Sequence, residues 1–512
     1  MSIKRYIANA DNTIVNTYED NLETRATGSN TGRADVVEVY SIWGRQQTSS
    51  SAATGSQELS RVLMKFPTSE ISSGRSSGVI PASGSVSFYL RVFEAAHSRT
   101  VPRDFKLVVQ AISGSWEEGE GLDLTNYSDE TRDQEGSNWI RRTKAAAWSS
   151  IGGDYYANPT FTQHFTGGLG DVEIDITELV EEWLDGSKDN HGLGIRLSSS
   201  YEAYVSNSSG ANYDNTIHNP SGAKKSYYTK RFFARGTQYF FKKPCIEARW
   251  NSVTKDDRGN FYFSSSLAPA EDNLNTLYFY NYVRGRLRNI PGVGTGAIYV
   301  SLYSGSSDNT APSGSKLRLY TGETAITGGY VSKGIYSCSV GLTKSSDTTL
   351  NTLYDVWHNN GNTQYFTGAI QTSQYKGNVH TREPTYYINI TNLQNSYMRD
   401  QNARFNLYVR EKNWSPSIYT KANEIAEHMV IPSASYRVIR TFDNFEAIPH
   451  NTGSDFATGL SYDVSGNYFD FDMSLLQPGC EYAFKVAFYD DELSSWQEQN
   501  EQFRFRVEKY EH

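Results

Sequence analysis

Residues 172–197 read VEIDITELVEEWLDGSKDNHGLGIRL, and they hold the one convincing helical period in a chain of 512 residues. Ile176, Leu179, Val180, Trp183 and Leu184 stand at i, i+3, i+4, i+7 and i+8, which places them on one apolar helix face. Asp175, followed three residues later by Glu178, has the spacing of a capping box with Asp in the Ser/Thr role. Gly186 supplies the stop. The spacing therefore predicts a short helix over 175–186. A second, weaker helical period covers residues 422–428, and little else is helical.

Outward from this stretch the period changes to two. Val86, Phe88, Leu90 and Val92 alternate with Ser87, Tyr89 and Arg91. Tyr482, Phe484, Val486 and Phe488 alternate with Ala483, Lys485 and Ala487, and Phe503, Phe505 and Val507 alternate with Arg504 and Arg506. Each run predicts a strand with one buried face. Gly/Ser/Asn-rich stretches at 48–55 and 305–315 read as loops between strands.

Composition agrees with this pattern. Aromatic residues reach 13%, including 36 Tyr and 24 Phe, enough to build cores, and the net charge of −9 is too small for a disordered polyelectrolyte. The expectation is an all-β protein of two to three β-sandwich domains, jelly-roll or immunoglobulin-like, with one short helix in the N-terminal domain. Polar segments at 251–259 (NSVTKDDRG), read as a linker, and at 371–378 suggest domains over 1–252, 253–372 and 373–512. No fixed-period repeat is evident, which disfavours a solenoid or propeller.

The same composition excludes several functions. The mild negative charge and the lack of any Lys/Arg block longer than a pair argue against nucleic acid as a partner. No stretch approaches the roughly 20 apolar residues of a membrane span. The opening MSIKRYIANADN has a basic start without an apolar region behind it, so no signal peptide is expected. Cys245, Cys338 and Cys480 are scattered and odd in number, giving neither a disulfide framework nor zinc spacing.

Candidate chemistry reduces to a few places. Glu117, Glu118 and Glu120 in GSWEEGEGLD suggest a carboxylate pair or a calcium loop, but their Gly-rich setting favours a structural turn. The nine His are dispersed without metal-ligand spacing, and residues 292–296 (GVGTG) read as a hairpin loop rather than a phosphate cradle. Trp116, Trp139, Trp148 and Trp183 could stack on sugars. Trp183 belongs to the apolar helix face, so Trp139, among polar neighbours in SNWIRR, is the best candidate for an exposed aromatic. No catalytic, cofactor or metal residue is expected.

Several segments in order carry a resemblance. Residues 61–66 (RVLMKF), 86–93 (VSFYLRVF), 116–119 (WEEG), Trp148 with 152–154 (GGD) and above all 172–197 resemble the DNRLRE family of β-sandwich domains. Residues 227–250 would supply the closing strands, although Lys230, Arg231 and Phe232 replace the family's Ser-x-Glu and residues 201–223 form an insert. Residues 255–261, 275–280 and 297–303 are similar to segments of large tailed-phage virion proteins, and 475–488 looks like a penultimate immunoglobulin or fibronectin strand. The resemblance implies a non-enzymatic structural component of a tailed-phage virion, at the neck, collar, tail periphery or head surface. Such a protein would be homo-oligomeric, assembled with other virion proteins in the host cytoplasm, and without cofactor, nucleic-acid or membrane partners. The alternative is a carbohydrate- or host-surface-binding fibre module.

Overall fold

The computed structural model describes residues 2–17, 26–47, 53–96, 103–122, 135–202, 228–266, 269, 273–343, 352–361, 363–373, 385–413, 428–491 and 493–509. It is nearly all-β, with several sheets in sandwich-like arrangements and two α-helices among the described residues. Contacts divide the chain into two compact units, residues 2–251 and 252–512. No helix among the described residues is long and apolar enough to cross a membrane.

In the first unit, strands Ile3–Ile7, Cys245–Arg249, Ser87–Val92 and Val172–Asp175 form a four-stranded sheet in that order. A seven-stranded sheet runs Tyr228–Phe233, Val36–Gln47, Ala53–Lys65, Leu193–Leu197, Phe105–Ile112, Tyr155–Phe165, with Ala10–Asn16 also paired to Ala53–Lys65. The alternation at 86–92 does what the sequence implies. Val86, Phe88, Leu90 and Val92 are buried with Met64, Leu107, Val109 and Ile195, whereas Ser87, Tyr89 and Arg91 are half-buried.

The expected helix is α2, Thr177–Asp185, and its buried face holds Leu179, Val180 and Trp183. Gly186 ends it in the left-handed region at φ 83°, where a Cβ would be strained. The capping box does not form. The Asp175 carboxylate accepts from the Thr177 N–H and hydroxyl at 2.9 and 2.6 Å, two residues on, making an Asx turn ahead of an Ile176 cap whose side chain is buried. Helix α1, Thr68–Ser76, was not legible because TSEISSGRS has only one large apolar residue. Tertiary contacts hold it instead: Gly74 lies under Ile80, where a Cβ would stand 2.9 Å from Ile80 Cδ1, and Arg75 pairs with Glu181 of α2 at 2.6 Å. The weaker helix expected at 422–428 falls, up to residue 427, outside the described residues.

In the second unit, an eight-stranded sheet is ordered Phe261–Tyr262, Gln364–Ser373, Thr352–His358, Ile298–Gly305, Ile326–Ser332, Ile335–Val340, Asn275–Tyr280, with Pro312–Ser313 also on Ile298–Gly305. Further along the chain, a four-stranded sheet (Tyr386–Ile390, Asn402–Glu411, Gly466–Asp472, Ser461–Asp463) is present with a six-stranded one. The latter runs Ser396–Met398, Phe503–Glu508, Glu481–Asp490, Ala434–Arg440, Phe445–Ile448, with Ser495–Glu498 on Glu481–Asp490. Their core is aromatic: Tyr436–Phe469, Phe405–Phe484 and Phe484–Phe505 ring centroids lie 4.5, 4.7 and 4.6 Å apart. Phe503, Phe505 and Val507 bury one face as expected. Ala483 and Ala487 are buried as well, on a strand flanked by neighbours at both edges, where these small side chains sit between longer ones.

Two local readings change. Residues 251–259 are not a free linker. Thr254 and Asp256 exchange main-chain bonds with Tyr462, adding a short parallel bridge, and the Arg258 guanidinium reaches the fully buried Asp355, with Nη2 2.7 Å from Oδ2. Charged residues in sequence read as solvent-facing, yet here an Arg and an Asp some hundred residues apart neutralise each other inside the unit. Residues 292–296 are not a hairpin loop either. They join Arg286–Leu287 to Ile298–Gly305, which do not pair, and Tyr336 fastens the turn by donating to Gly294 O at 2.7 Å and accepting from Ile290 N at 3.0 Å.

Candidate functional site

The glutamate run is a clamp. Glu118 accepts from Asp11 N at 2.9 Å and from Arg235 Nε and Nη2 at 2.7 and 2.5 Å. Arg235 N in turn donates to Asp11 Oδ2 at 2.6 Å. Burial pushes Asp11 up to about 6, against the pull of that Arg235 N–H bond. Glu117 accepts from Lys144 N, and Glu120 pairs with exposed Arg33. The glycines are there for close approach: a Cβ on Gly119 would lie 1.8 Å from Asn30 Oδ1, and one on Gly32 2.2 Å from Gly119 O. Each carboxylate points to its own partner, so the three do not converge. Among the described residues no cluster of three or more His, Cys, Asp or Glu is arranged to hold a metal.

The indoles are interior. Trp116, Trp139 and Trp148 pack with Ile14, Leu59, Leu63 and Ile112, and Trp183 lies in the main core as expected. Trp116 Nε1 donates to His191 O at 2.7 Å, and Trp148 Nε1 to Asn138 O at 2.9 Å. Trp139, expected to be exposed, is only 2% accessible. Its polar neighbours fold the loop down rather than lifting it out. Asn138 accepts from the N–H groups of Ile140 and Arg141, Asn12 grips Ser137, and the Arg61 guanidinium lies 5.1 Å over the Trp139 ring.

Ion pairs also run across the outer part of the four-stranded sheet. Glu247 bonds Arg5 and Arg249 at 2.6 Å, with Arg91 at 3.8 Å, and Glu173 bonds Arg249 at 2.7 Å. Burial alone would raise Glu247, but Arg5, Arg249 and Arg91 outweigh it and hold the carboxyl at about 2. This ladder cross-links strands from both ends of the unit.

Two Ser–His contacts resemble parts of a hydrolase and were invisible to local spacing. Ser435 Oγ lies 3.0 Å from His450 Nδ1, and His450 Nε2 3.7 Å from Glu498; Ser301 Oγ lies 2.9 Å from His358 Nε2. Both serines are fully buried on strands, and Ser435 Oγ is shared with Thr458 at 2.8 Å. Burial, then Arg437, holds His450 below its ordinary value. No substrate carbonyl can approach a hydroxyl with no exposed surface, so these contacts are interior hydrogen bonds.

Exposed cations lie elsewhere, on two adjoining hairpins. Tyr282–Val283 pairs with Arg286–Leu287 across a two-residue turn, Arg284 and Gly285, both at positive φ (52° and 74°), as a type I′ turn requires. The neighbouring turn between Ile326–Ser332 and Ile335–Val340 presses onto the foot of this hairpin. Gly334 N donates to Asn289 Oδ1, Gly334 O accepts from Asn281 N, and a Cβ on Gly334 would meet Arg288 N at 2.6 Å. Arg284, Arg286, Arg288 and Lys333 are all exposed, and none makes an ion pair among the described residues. Tyr282, Val283 and Val331 are 62%, 43% and 50% exposed beside them.

Helix α2 has the opposite character. Residues 171–189 hold eight acids and one lysine. Glu181 and Glu182 pair with Arg75 and Lys188, whereas exposed Glu178, Asp185 and Asp189 make no ion pair among the described residues. Asp185 sits in the last turn, which lacks any basic residue, and its carboxylate accepts from Ser187 N at 2.8 Å, which holds it below its ordinary value.

No family model and no curated protein matches the chain. Among solved structures it is similar to a titin structure (10% identity, TM-score 0.14, covering 51% of this chain and 98% of that one). It is also similar to the FN1–FN3 domains of chicken CNTN1 (11%, 0.13, 60% and 90%). A DUF4785-family protein of Legionella pneumophila gives 9%, 0.13, 98% and 93%. At these TM-scores the likenesses carry no argument, and the sandwich reading rests on the chain's own sheets.

Proposed function

We propose that the chain is a non-catalytic structural protein that works by protein–protein assembly, as a peripheral component of a tailed-phage particle. The observation that carries this reading is where its reactive-looking groups go. The Glu118–Arg235 clamp, the Arg5–Glu247–Arg249–Glu173 ladder and the buried Arg258–Asp355 pair tie together segments distant in the chain. Indoles that could have met a ligand pack the core. Such cross-linking suits a part that transmits load between neighbours. The resemblance of residues 1–250 to DNRLRE sandwiches and of later segments to virion proteins supplies the setting.

The glycan-binding alternative loses its leading residue, because Trp139 is buried. The test is negative-stain imaging of particles made without this protein, beside mass spectrometry of wild-type particles. Loss of a neck, collar, tail or head feature, with the chain present in wild type, is expected. Unchanged particles that never contained it would overturn the reading.

A further inference from the structure

The two basic hairpins face solvent with four cations that make no ion pair among the described residues, in a chain whose net charge is −9. Residues 273–340 carry six Lys/Arg against Asp308 and Glu323, a net +4, so the remainder carries −13. We propose that this basic surface docks on the acidic α2 face of a second copy of the chain. The inference rests on the assembly reading and specifies which surfaces meet.

Three observations select that occupant. The charges are complementary, and both surfaces hold groups without an ion-pair partner among the described residues: Arg284, Arg286 and Arg288 on one, Glu178, Asp185 and Asp189 on the other. Arginine presents a planar fork that suits carboxylates, and a short helix offers them at i and i+7 on one face, as Glu178 and Asp185 stand here. Tyr282, Val283 and Val331 add exposed apolar area beside the cations, a mixture of Tyr, Arg and aliphatic groups that fits a protein surface better than sugar hydroxyls.

Because the two surfaces differ, the contact is head-to-tail. It generates a ring where the rotation closes and a filament where it does not. The footprint of two hairpins is small, so one contact is weak and salt-sensitive. Repetition around a closed ring makes it persistent.

Sedimentation of the full chain tests this at low and high salt, with circular dichroism confirming that each variant is folded. Arg284→Glu with Arg286→Glu weakens self-association on the order of a hundredfold, since attraction becomes like-charge repulsion. Glu178→Arg with Asp185→Arg does the same. An equimolar mixture of the two double variants regains association, because each brings the half the other lacks. Self-association of wild type that neither variant alters, or a mixture that stays dissociated, overturns the docking proposal while leaving the assembly reading intact. A wild-type chain that stays monomeric at every concentration and salt, and is absent from particles, sinks both. If the hairpin variant alone weakens binding, and to acidic polysaccharide rather than to the chain itself, the second-copy partner is wrong.

Discussion

Replacing Arg258 by Met should destabilise the second unit more than any single surface change. Asp355 is fully buried, and its carboxylate is held by the Arg258 guanidinium and by Trp357 Nε1 at 2.6 Å. Without Arg258, one neutral indole donor faces a buried anion, and breaking a buried pair in this way costs about 3–5 kcal/mol. With a urea m-value of about 2–3 kcal/mol per M, the unfolding midpoint falls by on the order of 1–2 M. The assay is urea unfolding followed by fluorescence, since Trp357 lies beside the pair. Arg258→Met combined with Asp355→Leu removes both charges and should recover most of the loss, giving a coupling energy of at least about 2 kcal/mol in a double-mutant cycle. A single-variant loss below about 1 kcal/mol, or strictly additive effects, would refute the claim that the supposed linker is anchored by an interior ion pair.

Trp139→Ala should cost about 3–5 kcal/mol in the first unit, and iodide should fail to quench Trp139; a ligand-facing indole would give little stability change and ready quenching. Ser435→Ala should lose about 1 kcal/mol, and a fluorophosphonate probe should label Ser435 in neither protein; labelling of the wild-type residue would contradict its interior role. Asp11 is held at about 6, above its unfolded value of 3.8, so the folded state binds this proton more tightly. Its contribution therefore favours folding at low pH and is lost as pH rises through about 6. The stability difference between wild type and Asp11→Asn, measured by urea unfolding from pH 4 to 8, should shift in favour of Asn as pH rises and level off above 7; a flat difference curve would sink the assignment.

Fold class was legible because alternation is a local property. Phe88, Leu90 and Val92 announce a buried face from their own spacing, and so do Leu179, Val180 and Trp183 of α2. What could not be read depends on partners distant in sequence. Arg258 finds Asp355 97 residues away, Glu118 finds Arg235 117 away, and Arg61 covers Trp139, so polar neighbours misled the expectation of an exposed indole. Helix α1 owes its existence to Ile80 and Glu181 rather than to TSEISSGRS itself. The basic hairpin surface escaped notice because its cations alternate with Gly285 and Leu287 instead of forming a run, and Lys333 joins them only through the neighbouring turn.

Adding purified wild-type chain back to particles made without it tests the assembly reading most directly. The chain should co-sediment with the particles, saturate at a fixed number of copies set by the symmetry of its site, and restore the feature missing in negative stain. Protein that remains in the supernatant at every concentration, beside particles already complete without it, would contradict the claim that this chain is an assembly component.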